Sequence, residues 1–316
     1  MNSQVRSEPC PQFLNDVLAG LQEYPKRLSS KYLYDERGSD LFERICTLDE
    51  YYPTRTELAI MDQSAEEMAE CIGSGRVLLE LGSGSSVKTA LLLEAMEQPA
   101  VYMPFDISES ALEAATDMLA FEFPDLKIHP LVGDFTQPFP LPADAIDAHE
   151  IVIYFPGSTI GNLSDQAAID LLANVRNQTS PQGMLIGFDL QKDIEVLEAA
   201  YNDAQGVTAE FNLNLLRRIN YELGSDFDLD QFEHQAIYNA RDHRIEMHLL
   251  SSTQQTVVVN DHEFHFENGE SICTEHSYKY TVDSFAKLTS KAGWTLQKCW
   301  TDDEQLFAVA YLIPKD

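Results

Sequence analysis

Four short segments of this 316-residue sequence place chemically capable residues where a small molecule could be gripped. Gly82-Ser83-Gly84 follows the apolar run Val77–Leu81, and the missing side chains let a ligand approach the backbone. Asp106 closes a second apolar run 24 residues after Gly82, a spacing suited to a carboxylate that accepts from ribose hydroxyls. Gly133-Asp134-Phe135 closes a third run and offers an acceptor and a ring for a heteroaromatic base. The fourth run opens into residues 156–162, PGSTIGN, a small-residue loop able to carry a reacting group.

Three nucleotide readings compete for this constellation. A dinucleotide fingerprint needs G-x-G-x-x-G, but Val87 stands at the third glycine position, which also disfavours a dehydrogenase. A phosphate-cradling P-loop needs G-x-x-x-x-G-K-[ST], and Val87 again replaces the glycine that would let the backbone wrap a phosphate. S-adenosylmethionine needs no phosphate nest and asks for a ribose carboxylate and an adenine-edge acceptor. Asp106 or Asp134 alone reads equally well as a solubilising strand-end residue. Both together with LELGSGSS point to a methyl-donor site, and to no metal.

The elements that must position these residues alternate. Strands are expected at Val77–Leu81, Val101–Asp106, 127–132, 150–155 and 184–190. Between them lie helical stretches at 88–96, at 109–121 with Ser108 as a possible cap, and at 165–177 capped by Ser164. Short loops join them, which is the pattern of an open parallel sheet wound on both faces. The pattern breaks after Leu190. Phe211, Leu215, Ile219 and Leu223 then form one helical stripe that ends at Gly224, a natural C-terminal cap. From 231 to 280 the sequence reads as a strand meander with turns at Asn260-Asp261 and Asn268-Gly269. A final helix at 282–292 and strands at 295–301 and 306–312 resume the alternation. The expected organisation is a sheet domain, 57–192 plus 281–316, and a second α+β domain, 1–56 plus 193–280.

Composition bounds the partners. A hydrophobic content of 44% supports a sizeable core and excludes general disorder. The formal net charge of −31 repels phosphate backbones and anionic membranes, so nucleic-acid and membrane-surface roles are not expected. The five cysteines are widely spaced without a CxxC pair, which supports neither a zinc site nor a disulfide framework. The first ten residues hold no signal-peptide core, and no apolar run approaches the ~18 residues of a membrane span. A cytoplasmic protein, monomeric and acting on a small molecule, is expected.

With these residues in view, the chain resembles the histidine Nα-methyltransferases of ergothioneine biosynthesis. The resemblance runs from about Lys31 to the C-terminus, through YDERGSDLFERI (34–45), EYYPTR (50–55), LELGSGSSVKT (79–89), DISESAL (106–112) and GDF (133–135). It continues through GSTIGN (157–162), AYNDAQGVTAEFNLNLLRRIN (200–220) and TEHSYKY (274–280). It implies a Rossmann-like, class I S-adenosylmethionine-dependent methyltransferase sheet with an inserted substrate-binding domain. The implied activity is transfer of three methyl groups to the α-amino nitrogen of histidine, giving hercynine. Gly82, Lys88, Asp106, Asp134 and Phe135 fall on the family's cofactor-contacting positions. Asn162 and Tyr201 match positions holding the α-amino and carboxylate end, Tyr34 a tyrosine near the amine, and Tyr51 one near the imidazole. Glu275 and Ser277 match the pair that hydrogen-bonds the imidazole, and Met247 an apolar wall of that pocket.

Spacing supports the last pair separately, because residues two apart on a strand face the same side. A carboxylate beside an imidazole favours its protonated or fixed-tautomer form, and a serine can engage the other polar edge. The bland readings are a solvated Glu275, a packing role for Tyr51 beside Tyr52, and core filling by Met247. His262 and His265, three apart on an expected strand, face opposite sides and do not share a metal. Relatives acting on indole amines share the scaffold, so another α-amino acid or indole amine stays open as the substrate. A catalytically silent adenosyl-binding module is the other class.

Overall fold

The computed structural model describes residues 11–84, 87–142 and 150–315, so Cys10, Ser85 and Ser86 lie outside the described residues. The chain forms two compact units, Met1–Tyr51 with Asp193–Ser277, and Tyr52–Lys192 with Tyr278–Asp316. The first crossing thus falls at 51/52 rather than 56/57. The helix Tyr52–Ile72 is one rigid element whose buried Ile60, Met61, Met68 and Ile72 all pack in the sheet unit's core.

The sheet unit is built on strands ordered Trp294–Thr301, Phe307–Pro314, Gly183–Asp189, Ile151–Phe155, Val77–Leu81, Val101–Asp106 and Lys127–Ile128. From Gly183–Asp189 onward neighbouring strands pair in parallel, whereas Phe307–Pro314 is antiparallel to Gly183–Asp189. The inner strands are apolar on both faces, and alternate residues feed two cores. Val77, Leu79, Ile151 and Ile153 pack with Leu171, Leu172 and Val175 of the helix Asp165–Thr179. Leu78, Tyr102, Val152 and Tyr154 pack with Leu92 and Leu93 of the helix Val87–Ala95 and with the Tyr52–Ile72 helix. Ser164 caps its helix as expected, its Oγ accepting the Ala167 N–H at 3.3 Å. The expected strand 127–132 is instead two short pairings, Lys127–Ile128 and Leu131–Val132, both on Val101–Asp106. Pro130 between them has no N–H to give the ladder.

In the other unit the helix Glu36–Cys46 starts at Asp35, whose Oδ1 accepts the Gly38 N–H and the Asn214 Nδ2, both at 2.7 Å. Gly38 is required there, since a Cβ would stand 1.7 Å from the Leu33 carbonyl oxygen. The first turn of the helix Val207–Leu223 is held by Asp203, whose carboxylate accepts the Val207 and Thr208 N–H groups at 2.9 and 2.8 Å. It ends at Gly224 with φ +69°, and Phe211, Leu215, Ile219 and Leu223 form its buried stripe. The expected meander is divided. Phe232–Asn239, Arg244–Ser251 and Ser271–Tyr278 share a sheet, and Lys26–Arg27 adds to its edge in parallel with Ile272 and Cys273. Gln255–Val259 and His262–Phe266 form a separate hairpin, turned by Asn260 and Asp261 at φ +44° and +66°. Asn268-Gly269 therefore links two sheets instead of closing a hairpin.

Candidate active site

In the sheet unit the strands Val77–Leu81 and Ile151–Phe155 are neighbours, with Val101–Asp106 beyond the first. The chain leaves their carboxyl ends at the switch point of the strand order, where open α/β sheets bind ligands. Gly82 and Gly84 there take φ +72° and +49°, a region that side chains disfavour. Asp106 accepts the Gly84 N–H at 3.2 Å and the Ser108 N–H at 2.9 Å, one on each oxygen. Each carboxylate oxygen retains a second lone pair for a ligand. Phe135 stands beside Gly82, 3.7 Å from where a Cβ would be, with its ring edge-on to Phe105 and Phe155 at 6.3 and 5.5 Å. Asp134 Oδ1 closes a turn by accepting the Thr136 N–H at 2.9 Å.

Three polar residues complete this end of the sheet: Ser83 of the glycine motif, and Glu80 and Glu57, which the motifs did not single out. Ser83 is 5% exposed, and its Oγ is buried without a hydrogen-bond partner. Glu80, inside the strand, accepts from Thr89 Oγ1 at 2.7 and 2.9 Å and from the Tyr102 hydroxyl. Burial pushes its carboxyl up to about 8, against those hydrogen bonds. Glu57, from the helix Tyr52–Ile72, accepts from Lys88 Nζ at 2.6 Å and from the Gly157 N–H at 3.0 Å. Two positive-φ glycines, a buried hydroxyl without a hydrogen-bond partner and the half-buried Phe135 ring form a polar and aromatic rim at this end of the sheet. That rim fits the adenosine and sulfonium-bearing tail of S-adenosylmethionine. Among the described residues no cluster of three metal-ligating side chains is present.

The loop after Ile151–Phe155 ends in the short helical turn Thr159–Asn162. Ser158 starts it at φ +57°, its Oγ accepting the Asp189 N–H at 2.9 Å, which leaves half-buried Asn162 at the loop's end. Asp189 itself is the centre of a buried ion cluster. Its Oδ2 accepts from the Tyr52 hydroxyl at 2.7 Å and Lys279 Nζ at 2.7 Å, and its Oδ1 from Lys192 Nζ at 2.5 Å. Burial alone would raise the Asp189 carboxyl, but the two ammonium groups hold it below its ordinary range. Burial also pushes the Lys192 ammonium down to about 8 despite the attraction of Asp189.

The other unit gathers most of the remaining expected residues. Tyr34 meets Phe42 and Phe211 edge-on at 5.5 and 5.6 Å, and Tyr51 meets Phe42 and Tyr201 at 6.2 and 6.1 Å. The Tyr201 hydroxyl donates to Ser277 Oγ at 2.8 Å. Glu275 and Ser277 alternate on the strand Ser271–Tyr278 and are both buried, at 8% and 4% exposure. Burial raises the Tyr51 hydroxyl well above its ordinary range, with Tyr201, Cys46, Tyr34 and Glu275 adding to it. Glu275 thus lies within electrostatic reach of the ring array. Met247, on the neighbouring strand Arg244–Ser251, is fully buried, and its carbonyl accepts from Thr274 Oγ1 at 3.2 Å.

A polar relay locks this arrangement from behind. Thr274 Oγ1 donates to Asn212 Oδ1 at 2.6 Å, Asn212 Nδ2 reaches His234 Nδ1 at 2.9 Å, and His234 Nε2 reaches the Tyr201 carbonyl at 2.8 Å. A carbonyl only accepts, so Nε2 carries the proton and Nδ1 accepts from the amide, which is the neutral imidazole. Burial accordingly holds His234 below its ordinary pKa. Phe42 and Asn212 lie within the quoted YDERGSDLFERI and AYNDAQGVTAEFNLNLLRRIN segments, but only the assembled rings and relay single them out.

The chain is also similar to known proteins over nearly its whole length. A sequence profile described as "Histidine-specific methyltransferase, SAM-dependent" matches residues 13–314. A Histidine N-alpha-methyltransferase of Mycolicibacterium smegmatis is 39% identical over 304 residues, 94% of each chain. That of Mycobacterium tuberculosis is 37% identical over 301 residues, covering 93% of this chain and 92% of its own. Ergothioneine biosynthesis protein 1 of Neurospora crassa is 32% identical over 297 residues, 88% of this chain but 32% of that longer protein. The Rossmann-like sheet, its ligand-binding end and this similarity across nearly the whole length agree: the chain belongs to the histidine-specific, S-adenosylmethionine-dependent methyltransferase family.

Proposed function

We propose that this enzyme transfers three methyl groups from S-adenosylmethionine to the α-amino nitrogen of L-histidine, giving hercynine. The observation that carries the substrate is the buried Glu275/Ser277 pair on one strand face, tied to the Tyr201 hydroxyl. A buried carboxylate and a hydroxyl that also accepts suit the two nitrogens of an imidazole, one as acceptor and one as adaptable partner. Met247 is the apolar wall of that pocket. Tyr51 lies beside the ring, and Tyr201 and Asn162 hold the carboxylate and α-amino end. The unit Met1–Tyr51 with Asp193–Ser277 selects the amino acid, and the sheet unit holds the cofactor with Gly82, Lys88, Asp106, Asp134 and Phe135.

The cofactor, when bound, supplies a methyl group on a sulfonium, open to in-line displacement by an amine lone pair. The chain's own part is to present that lone pair, with Asn162 and Tyr34 orienting a neutral amine and water excluded. No strong base is required once the amine is neutral. Successive transfers end in a quaternary ammonium, which the faces of Tyr34 and Tyr51 stabilise. The reading keeps the protein cytoplasmic and monomeric. It is consistent with the free thiols of Cys46, Cys71, Cys273 and Cys299 and with no described helix being long and apolar enough to cross a membrane.

The test is incubation of the purified protein with S-adenosylmethionine and a pool of the common amino acids, read by mass spectrometry. Three methyl additions on histidine alone are expected. Methylation of a different amine would overturn the Glu275/Ser277 assignment, as would a Glu275→Ala variant with unchanged histidine affinity and selectivity.

A further inference from the structure

The carboxylate of Glu57 belongs to none of the cofactor motifs, yet it spans the crevice on which the cofactor assignment depends. Its side chain is 1% exposed and pairs with Lys88 Nζ at 2.6 Å. Both of its oxygens also lie 3.0 Å from the Gly157 nitrogen. Lys88 follows the strand Val77–Leu81, and Gly157 follows the adjacent strand Ile151–Phe155. One carboxylate therefore joins the start of the helix Val87–Ala95 to the loop after Ile151–Phe155, the two segments that flank the switch point. Gly187 keeps its space clear, since a Cβ there would stand 2.2 Å from Glu57 Oε1. A Cβ on Gly157 would likewise come within 3.4 Å of Lys88 Nζ. A buried carboxylate is costly unless paired and hydrogen-bonded, and this one is both, in space that two glycines leave open.

We propose that Glu57 sets the charge of the cofactor crevice: by neutralising Lys88 it lets a sulfonium cation bind, and so favours S-adenosylmethionine over its uncharged product S-adenosylhomocysteine. The inference rests on assigning the cofactor to Gly82, Lys88, Asp106, Asp134 and Phe135. The two ligands share their adenosine and amino-acid tail and differ by one methyl group and one positive charge. Any contact that only shapes the crevice acts on both alike. A change in the crevice's net charge acts on the difference between them. A partly screened unit charge in the crevice is worth ~1 kcal/mol to a cation, about a fivefold change in its affinity. Glu57 acts through Lys88 and is a positioning residue for the cofactor.

Calorimetric binding of both ligands to the full chain, in Glu57→Gln, Lys88→Met and the double variant, tests this. The affinity ratio of S-adenosylmethionine to S-adenosylhomocysteine should fall about fivefold in Glu57→Gln and rise in Lys88→Met, whose carboxylate is left unneutralised. It should return near the wild-type ratio in the double variant. Parallel weakening of both ligands, with the ratio unmoved, would overturn the charge role and leave Glu57 as scaffold. If Glu57→Gln does not fold, the rise in Lys88→Met and its reversal in the double variant carry the test, and a flat ratio overturns it. Wild-type protein that binds neither ligand would instead defeat the cofactor assignment itself.

Discussion

Asp189→Asn is the most informative single change in the sheet unit, because it removes the carboxylate that pairs with two buried ammonium groups. The side chains of Asp189, Lys279 and Lys192 are 0%, 1% and 7% exposed, so water cannot replace the lost partner. Removing one partner of a buried pair leaves an uncompensated charge and typically costs ~3–5 kcal/mol. The pH dependence is specific. Lys192 is already held at about 8, below its unfolded value of ~10.4, so the unfolded state binds the extra proton in that interval. The attraction of Asp189 is what keeps the lysine from falling further. In the variant it discharges nearer neutrality, and each unit of further lowering returns ~1.4 kcal/mol as pH rises towards 8. The deficit relative to wild type should therefore be larger at about pH 6 than at about pH 8.5. Urea unfolding followed by tryptophan fluorescence reads this directly, since both tryptophans of the chain, Trp294 and Trp300, lie in the sheet unit. A deficit below ~1 kcal/mol, or one that is equal at the two pH values, would refute the electrostatic account of the cluster.

Three further outcomes follow from the geometry. Tyr201→Phe removes the donor to buried Ser277 and should raise the histidine KM about fivefold or more, the loss of ~1 kcal/mol expected for one hydrogen bond, as steady-state kinetics will show. An unchanged KM would place that hydroxyl outside substrate binding. Gly187→Ala drives a Cβ into Glu57 and should cost ~1–3 kcal/mol in the same fluorescence titration while weakening binding of S-adenosylmethionine; unaltered stability and affinity would count against Glu57 as described. His234 is held neutral by burial, so the unfolded state takes up its proton first and the relay should lose stability as pH falls below about 6.5. His276, pushed down to about 4, adds to the same acid sensitivity. Urea-dependent hydrogen exchange in Phe232–Asn239 should become easier from about pH 7 to about pH 5, and a flat response would contradict the tautomer assigned here.

Much of the sheet was legible because its signals are local. Apolar runs closed by glycine, aspartate or proline located Val77–Leu81, Val101–Asp106 and Ile151–Phe155 within a residue, and the four-residue stripe with Gly224 located the helix Val207–Leu223. The sequence by itself also determined which strand ends carry Gly82, Asp106 and Phe135, since each closes its own strand. It could not decide pairing. Whether 127–132 is one strand depends on a Pro130 meeting Val101–Asp106, and Lys26–Arg27 becomes a strand only beside Ile272 and Cys273. The fates of charged residues were hidden for the same reason. Glu57, Glu80 and Asp189 look like any of the chain's 52 acidic residues until the fold buries them. Glu57 meets partners 31 and 100 residues away, and Asp189 meets Tyr52 across 137. Periodicity and turn chemistry act between near neighbours, whereas the burial and neutralisation of a charge depend on which distant groups the tertiary structure brings to it.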